Sequence, residues 1–152
     1  MSIDKIFNAI QIDDQILTAG QPSEDQLRDL STEGYEVVIN LATIDPRYSL
    51  SDEEKSCSDL GMTYVHIPVE WTAPEIEDYQ AFKGAMDNTA QQKTLIHCAA
   101  NYRVTAFYSI FAKQTLGWSD EQAKALRAQI WESNPEWKMD DIWREFIEAI
   151  DV

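Results

Sequence analysis

The chain has 152 residues, 44% hydrophobic and 11% aromatic, a composition that supports a buried core and excludes a disordered or fibrous chain. A formal net charge of -15, from 27 acidic against 12 basic side chains, opposes nucleic acid and anionic membrane surfaces as partners, and leaves any phosphate site dependent on local positive potential. No apolar run reaches the roughly 20 residues of a membrane-crossing helix, and Met1-Ser2-Ile3-Asp4-Lys5 lacks the basic start of a secretory leader. Two cysteines, Cys57 and Cys98, are too few for a disulfide framework. These features predict a single domain over residues 1–152 with reduced thiols, cytoplasmic, or periplasmic if a leader has been trimmed.

Two strands over residues 10–12 and 15–18 flank an Asp13-Asp14 turn. Ala19-Gly20-Gln21-Pro22 is a loop, and Ser23 with Gln26 is a capping-box pattern opening a helix that Gly34 ends. Residues 35–41 form a β-rich run read as a buried strand. A loop through Asp45-Pro46 and a short helix over 51–60, closed by Gly61, lead to a strand over 62–69. Ile76, Tyr79, Phe82 and Met86 share one helical face. A short strand over 93–97 runs straight into Cys98, and the helix beyond it carries Val104, Phe107, Tyr108 and Phe111 inward. Helices over 119–131 and 140–150 close the chain, the second with Ile142, Trp143, Phe146 and Ile150 apolar. Trp118, Trp131, Trp137 and Trp143 in this part read as core packing. Alternating strands and helices predict an α/β three-layer domain with a mostly parallel central sheet.

A buried strand ending in Cys98, then small residues, then a helix places the cysteine at the carboxyl end of the sheet, where open α/β folds hold ligands. Backbone N–H groups of Ala99, Ala100, Asn101, Tyr102 and Arg103 are expected to curl into an oxyanion nest, with the helix dipole behind them. The same field favours a thiolate, so Cys98 is the candidate nucleophile. Arg103 offers a planar fork of donors for phosphate oxygens.

The run from His97-Cys98 to Arg103 and Thr105 resembles the signature of the protein tyrosine and dual-specificity phosphatases: His-Cys, five variable residues, Arg, then Ser or Thr. Val37-Val38-Ile39-Asn40-Leu41 and Tyr64-Val65-His66-Ile67-Pro68-Val69 are similar to two further strands of these enzymes. Ala19-Gly20-Gln21-Pro22 with Ile39-Asn40-Leu41 resembles a bacterial branch of the family with no defined role, and the similarity extends to about Leu116. The resemblance implies a cysteine-phosphatase-like fold and a hydrolase that needs no metal or other cofactor. It implies that Cys98 takes the phosphoryl group as a thiophosphate and that Arg103 clamps its oxygens. Thr105 would ease departure of the thiolate, and His97 would tune Cys98 through hydrogen bonds.

The sequence departs from that pattern twice. Only four residues separate Cys98 from Arg103. Either the loop keeps its full length, placing Val104 at the arginine position and Arg103 about 100° away around the helix, or it is one residue shorter and tighter with Arg103 in its usual role. On the full-length alignment Asn101 stands where the family has Gly, and Asn tolerates left-handed backbone. The second departure is the general acid. The expected Asp position falls at Trp71, leaving Glu70 as the candidate proton donor, with Glu75, Glu77 and Asp78 nearby. Trp71 is read either as a cap on the core or as a wall for an aromatic phosphoester.

Other residues read more plainly. Cys57 pairs with Cys98 only if their Cα atoms lie within about 7 Å. His66 is expected on a solvated strand face, and it and His97 make no metal site. Arg47 is a candidate rim cation. The leading reading is a phosphatase acting on a phosphorylated small molecule or phosphoprotein, with an aryl phosphate such as phosphotyrosine as the first candidate. The alternative is a phosphate- or phosphoprotein-binding module of the same fold with little or no turnover. A sulfurtransferase, which also uses a loop cysteine before a helix, is the third.

Overall fold

The computed structural model describes residues 5–133 and 139–150; Trp137 lies outside them. In chain order the elements are β1 (Ile10–Gln11), β2 (Ile16–Ala19), α1 (Glu24–Thr32), β3 (Val37–Asn40), α2 (Glu53–Asp59), β4 (Thr63–His66), α3 (Ile76–Asn88), β5 (Thr94–His97), α4 (Tyr102–Thr115), α5 (Asp120–Trp131) and α6 (Asp141–Ile150). One five-stranded sheet runs in the order β1-β2-β5-β3-β4, with β1 antiparallel to β2 and the other pairs parallel. The expected mostly parallel α/β architecture is the one found.

Side-chain alternation divides the core in two. Val37, Ile39 and Ile96 point to one face, where Phe82 of α3, Phe107 of α4, Leu126 of α5 and Trp143 of α6 cover them. Leu17, Val38 and Leu95 point to the other, under Leu27 and Leu30 of α1 and Cys57 of α2. The strand that carries the cysteine, β5, is therefore central and buried on both faces. Helix α4 is buried from Arg103 through Ala112, the all-round burial of a helix enclosed by neighbours rather than lying on a surface.

The local signals at helix ends are realised. Ser23 and Ser119 cap α1 and α5 with reciprocal bonds to Gln26 and Gln122. Gly34 and Gly61 follow α1 and α2 in left-handed backbone, at φ 94° and 76°. Two apolar positions fall outside the expected faces. Ile76 is exposed because it opens α3 before the helix reaches the sheet, whereas Tyr79, Phe82 and Met86 are buried. Ile142 is exposed because the α6 stripe runs through Trp143, Phe146 and Ile147, one residue out of register with it. Strand β4 ends at His66, since Ile67 and Val69 continue as backbone bonds to Asn40 and Leu41 outside the regular ladder.

Candidate active site

Strand β5 delivers Cys98 to the carboxyl edge of the sheet, where its side chain is buried. The chain then turns through Ala99, Ala100 and Asn101 before α4 begins at Tyr102. Asn101 makes the turn, with φ 72° and ψ 7°, the left-handed region that Asn enters more readily than most residues. Its amide donates to Asn8 O at 2.8 Å and to Thr18 Oγ1 at 3.1 Å, which fixes the buried side chain. On the outer side of the loop, Ala99 O accepts from Gln21 N at 3.0 Å and Ala100 O from Asn8 Nδ2 at 3.0 Å. Peptide planarity turns the N–H groups of Ala100 and Asn101 the opposite way, away from this bracing.

Arg103, in the first turn of α4, is buried and donates from Nη1 to Val69 O at 3.0 Å. Trp71, Cys98, Ala99, Ala100, Tyr102 and Arg103 line one cavity of about 310 Å3. Of the two registers open in the sequence, the geometry brings Arg103 to the cavity wall, while the Val104 side chain packs in the core. The left-handed Asn101 is the N-cap of α4, so Arg103 falls in the first turn of that helix. Thr105 is buried, and its hydroxyl lies 2.8 Å from Asn101 O and 3.1 Å from Tyr102 O, so it is engaged by carbonyls of the turn and of its own helix.

Trp71 stacks on Trp131 with ring centroids 5.5 Å apart and an interplanar angle of 15°, and meets Tyr102 edge-on. It is at once a cap on the core and a wall of the cavity. Glu70, beside it, is exposed. Glu75, Glu77 and Asp78 sit at the start of α3, with Asp78 Oδ2 accepting from Glu75 N. None of these carboxylates lines the cavity.

The expectations for the outlying residues change. Arg47 is exposed and gripped by Asp45 through both Nε and Nη2, a side-chain hydrogen bond that holds the Asp45 carboxyl down at about 2. Its charge is thus answered locally instead of at the rim. His66 is half-buried rather than solvated, because its Nε2 donates to Ala42 O at 2.6 Å. Cys57 lies in the core on the opposite face of the sheet from Cys98, and burial pushes its thiol up to about 12. No group of three or more metal-ligating side chains occurs among the described residues, and no described helix is long and apolar enough to cross a membrane.

Two residues that the sequence left unmarked support the loop. Asn8, in left-handed backbone at φ 53°, exchanges bonds with Ala100 and Asn101. Glu53, at the start of α2, is buried and lies 2.5 Å from His97 Nε2, while Gln21 Nε2 donates to its other oxygen at 2.7 Å. Burial alone would raise the Glu53 carboxyl, but the bonds to His97 and Gln21 and the His97 charge outweigh it and hold it below the ordinary value. A carboxyl depressed in the folded state adds stability that is present above its ordinary value near 4.5 and lost as pH falls through the folded value. The wild type should therefore lose stability on acidification below about pH 4.5 more steeply than Glu53→Gln, as followed by thermal melting across pH.

Three comparisons bear on this site. The family model described as "DSP-PTPase phosphatase fused to NAD+ Kinase" matches residues 6–144. A "Beta-lactamase hydrolase-like protein" of Xylella fastidiosa is 28% identical over 104 residues, 66% of this chain, and the chain spans only 24% of that relative's length. A DUF442 protein of Shewanella putrefaciens CN-32 superposes with a TM-score of 0.84 at 32% identity, over 98% of this chain and 94% of that one. The core catalytic domain of the PP-IP phosphatase SIW14 of S. cerevisiae gives a TM-score of 0.73 at 14% identity, over 94% of this chain and 85% of its own, a likeness of fold. With a match that runs through both core faces and the whole of the cysteine loop, the chain belongs to the DSP-PTPase phosphatase family.

Proposed function

We propose that this chain is a cysteine-dependent phosphatase for phosphomonoesters of aromatic alcohols, carried on a small molecule or as phosphotyrosine in a protein. The observation that carries the reading is the cavity itself: Cys98 and Arg103 share it with the Trp71 and Tyr102 rings, and among the described residues no carboxylate lines it. The Cys98 thiolate attacks phosphorus as the bond to the leaving oxygen breaks. Water then attacks the thiophosphate, releasing inorganic phosphate and restoring the thiolate. Arg103 and the loop amides carry the charge on the equatorial oxygens. With no acid among the described residues of the cavity, the leaving oxygen departs with little protonation, which favours phenolates over alkoxides. The Trp71 and Tyr102 rings give such a leaving group an apolar wall.

The same lack of an acid among the described cavity residues favours a second reading, a phosphate- or phosphoprotein-binding module with little or no turnover. Hydrolysis of p-nitrophenyl phosphate by wild type, Cys98→Ser, Arg103→Lys and Glu70→Gln separates them. Cys98→Ser should fall to background, and Arg103→Lys should lose about 100- to 1000-fold in kcat, the range for removing a transition-state donor. Glu70→Gln should leave aryl phosphate hydrolysis unchanged. Full activity in Cys98→Ser ends the cysteine mechanism. Absence of turnover in wild type, with phosphate still raising Tm, favours the binding module. Thiocyanate formation from thiosulfate and cyanide in place of phosphate release would favour sulfur transfer.

A further inference from the structure

His97 and Glu53 meet in the sheet core behind Cys98, and their hydrogen bonds fix how many protons they hold. His97 Nδ1 lies 3.1 Å from Cys98 O, and a carbonyl only accepts, so Nδ1 carries a hydrogen. Nε2 lies 2.5 Å from Glu53 Oε2. A neutral imidazole with its hydrogen on Nδ1 would turn a bare lone pair on Nε2 toward an ionised carboxylate. That contact is repulsive, so a second hydrogen lies between the two groups. The other Glu53 oxygen is committed, because Gln21 Nε2 donates to it at 2.7 Å and to Pro22 O at 2.9 Å, two acceptors that set the amide's orientation. His97 is fully buried and Glu53 nearly so. Cys57, on the same helix as Glu53, and Tyr64 and His66 of β4 also face this carboxylate. Cys57 and Tyr64 are both pushed up to about 12, chiefly by burial, and remain neutral. His66 donates to Ala42 O and adds only a distant influence. His97 is thus the hydrogen-bonded partner of the Glu53 charge.

We propose that Glu53 is a positioning residue for Cys98, holding His97 doubly protonated so that an imidazolium, hydrogen-bonded to the Cys98 carbonyl, stabilises the reactive thiolate. The positive end of the pair meets the Cys98 carbonyl and the negative end belongs to α2. This inference rests on Cys98 being the reactive group, but its test needs no turnover.

The experiment follows carbamidomethylation of Cys98 by iodoacetamide across pH, with the modified peptide identified by mass spectrometry, in wild type, Glu53→Asp, Glu53→Gln, His97→Asn and the His97→Asn/Glu53→Gln double variant. At mildly acid pH the Glu53→Gln rate should fall about tenfold, one unit of thiol ionisation, the lower end of what a nearby opposite charge produces. Glu53→Asp should recover part of it, and Glu53→Gln should add nothing in the His97→Asn background. In wild type, nitrogen-15 spectra of the His97 ring should show both nitrogens protonated through the neutral range. A ring with an unprotonated Nε2 overturns the proposal, and this measurement needs no variant to fold. So does a folded Glu53→Gln protein whose alkylation profile matches wild type. Loss of phosphatase activity with an intact alkylation shift would count against the proposed phosphatase function and leave this inference standing.

Discussion

Trp143→Ala should lower the unfolding free energy by about 3–5 kcal/mol, the range for emptying a large aromatic site in a packed core. Trp143 is wholly buried, with its ring centroid 5.4 Å from Trp71, 5.9 Å from Trp131 and 5.7 Å from Phe146. The rings contribute packing, and the indole N–H adds a directed bond of 2.8 Å to Trp71 O. That bond ties α6 to the segment after β4, the segment whose Val69 carbonyl receives Arg103. Removing the indole therefore has two effects: a cavity in the core and a loosened backbone beneath the arginine. Trp143→Phe separates them, since it keeps part of the packing and loses the N–H, at about 1 kcal/mol for the bond plus a smaller cavity cost. Urea unfolding measures the first effect. Phosphate affinity, measured well below the unfolding transition, measures the second and should weaken in both variants. Full phosphate affinity in Trp143→Ala would show that Arg103 is held without help from α6.

Much of this arrangement is legible in the sequence, for local reasons. The run into Cys98 is a strand because Thr94, Leu95 and Ile96 are apolar or β-branched, which suits a central position in the sheet. Ser23 and Ser119 declare helix starts because a capping box is complete within four residues of chain. Asn101 is readable as a left-handed residue from its side chain alone, but where the helix begins after it depends on Asn8 and Thr18, which hold its amide from far away in the chain. The sequence alone therefore leaves the register of Arg103 open. Glu53 is the clearest omission. In Asp52-Glu53-Glu54-Lys55 it looks like any acid at a helix start, and only a partner 44 residues away distinguishes it from Glu54. Ile76 and Ile142 err the other way, since hydropathy cannot tell which turn of an amphipathic helix reaches the sheet.

The back of the Cys98 loop is set by a glycine with no room to spare. A Cβ at Gly20 would lie 2.6 Å from Ala99 O and 3.0 Å from two atoms of Phe7, so Gly20→Ala must displace one of them. Phe7 is exposed and its ring can yield, but its carbonyl is fixed by Gly20 N at 2.7 Å. Ala99 O is fixed by Gln21 N, and the next carbonyl by Asn8, so a shift there moves the loop as a body. The cost to the fold should be about 1–3 kcal/mol, as for other overpacked sites. The cost to the site should be larger in proportion. A displacement of order 1 Å can reduce turnover by about 100-fold where chemistry depends on alignment. Gly84→Ala is the control: nothing lies within 4 Å of its added Cβ, and it sits inside α3. It should keep full activity and gain about 0.5–1 kcal/mol from helix propensity. Thermal melting together with phosphate binding separates the outcomes for Gly20→Ala. A folded protein that has lost phosphate affinity supports a loop held rigidly from behind, whereas unchanged affinity means that Ala99 moves freely and that the β2 end does not shape the site.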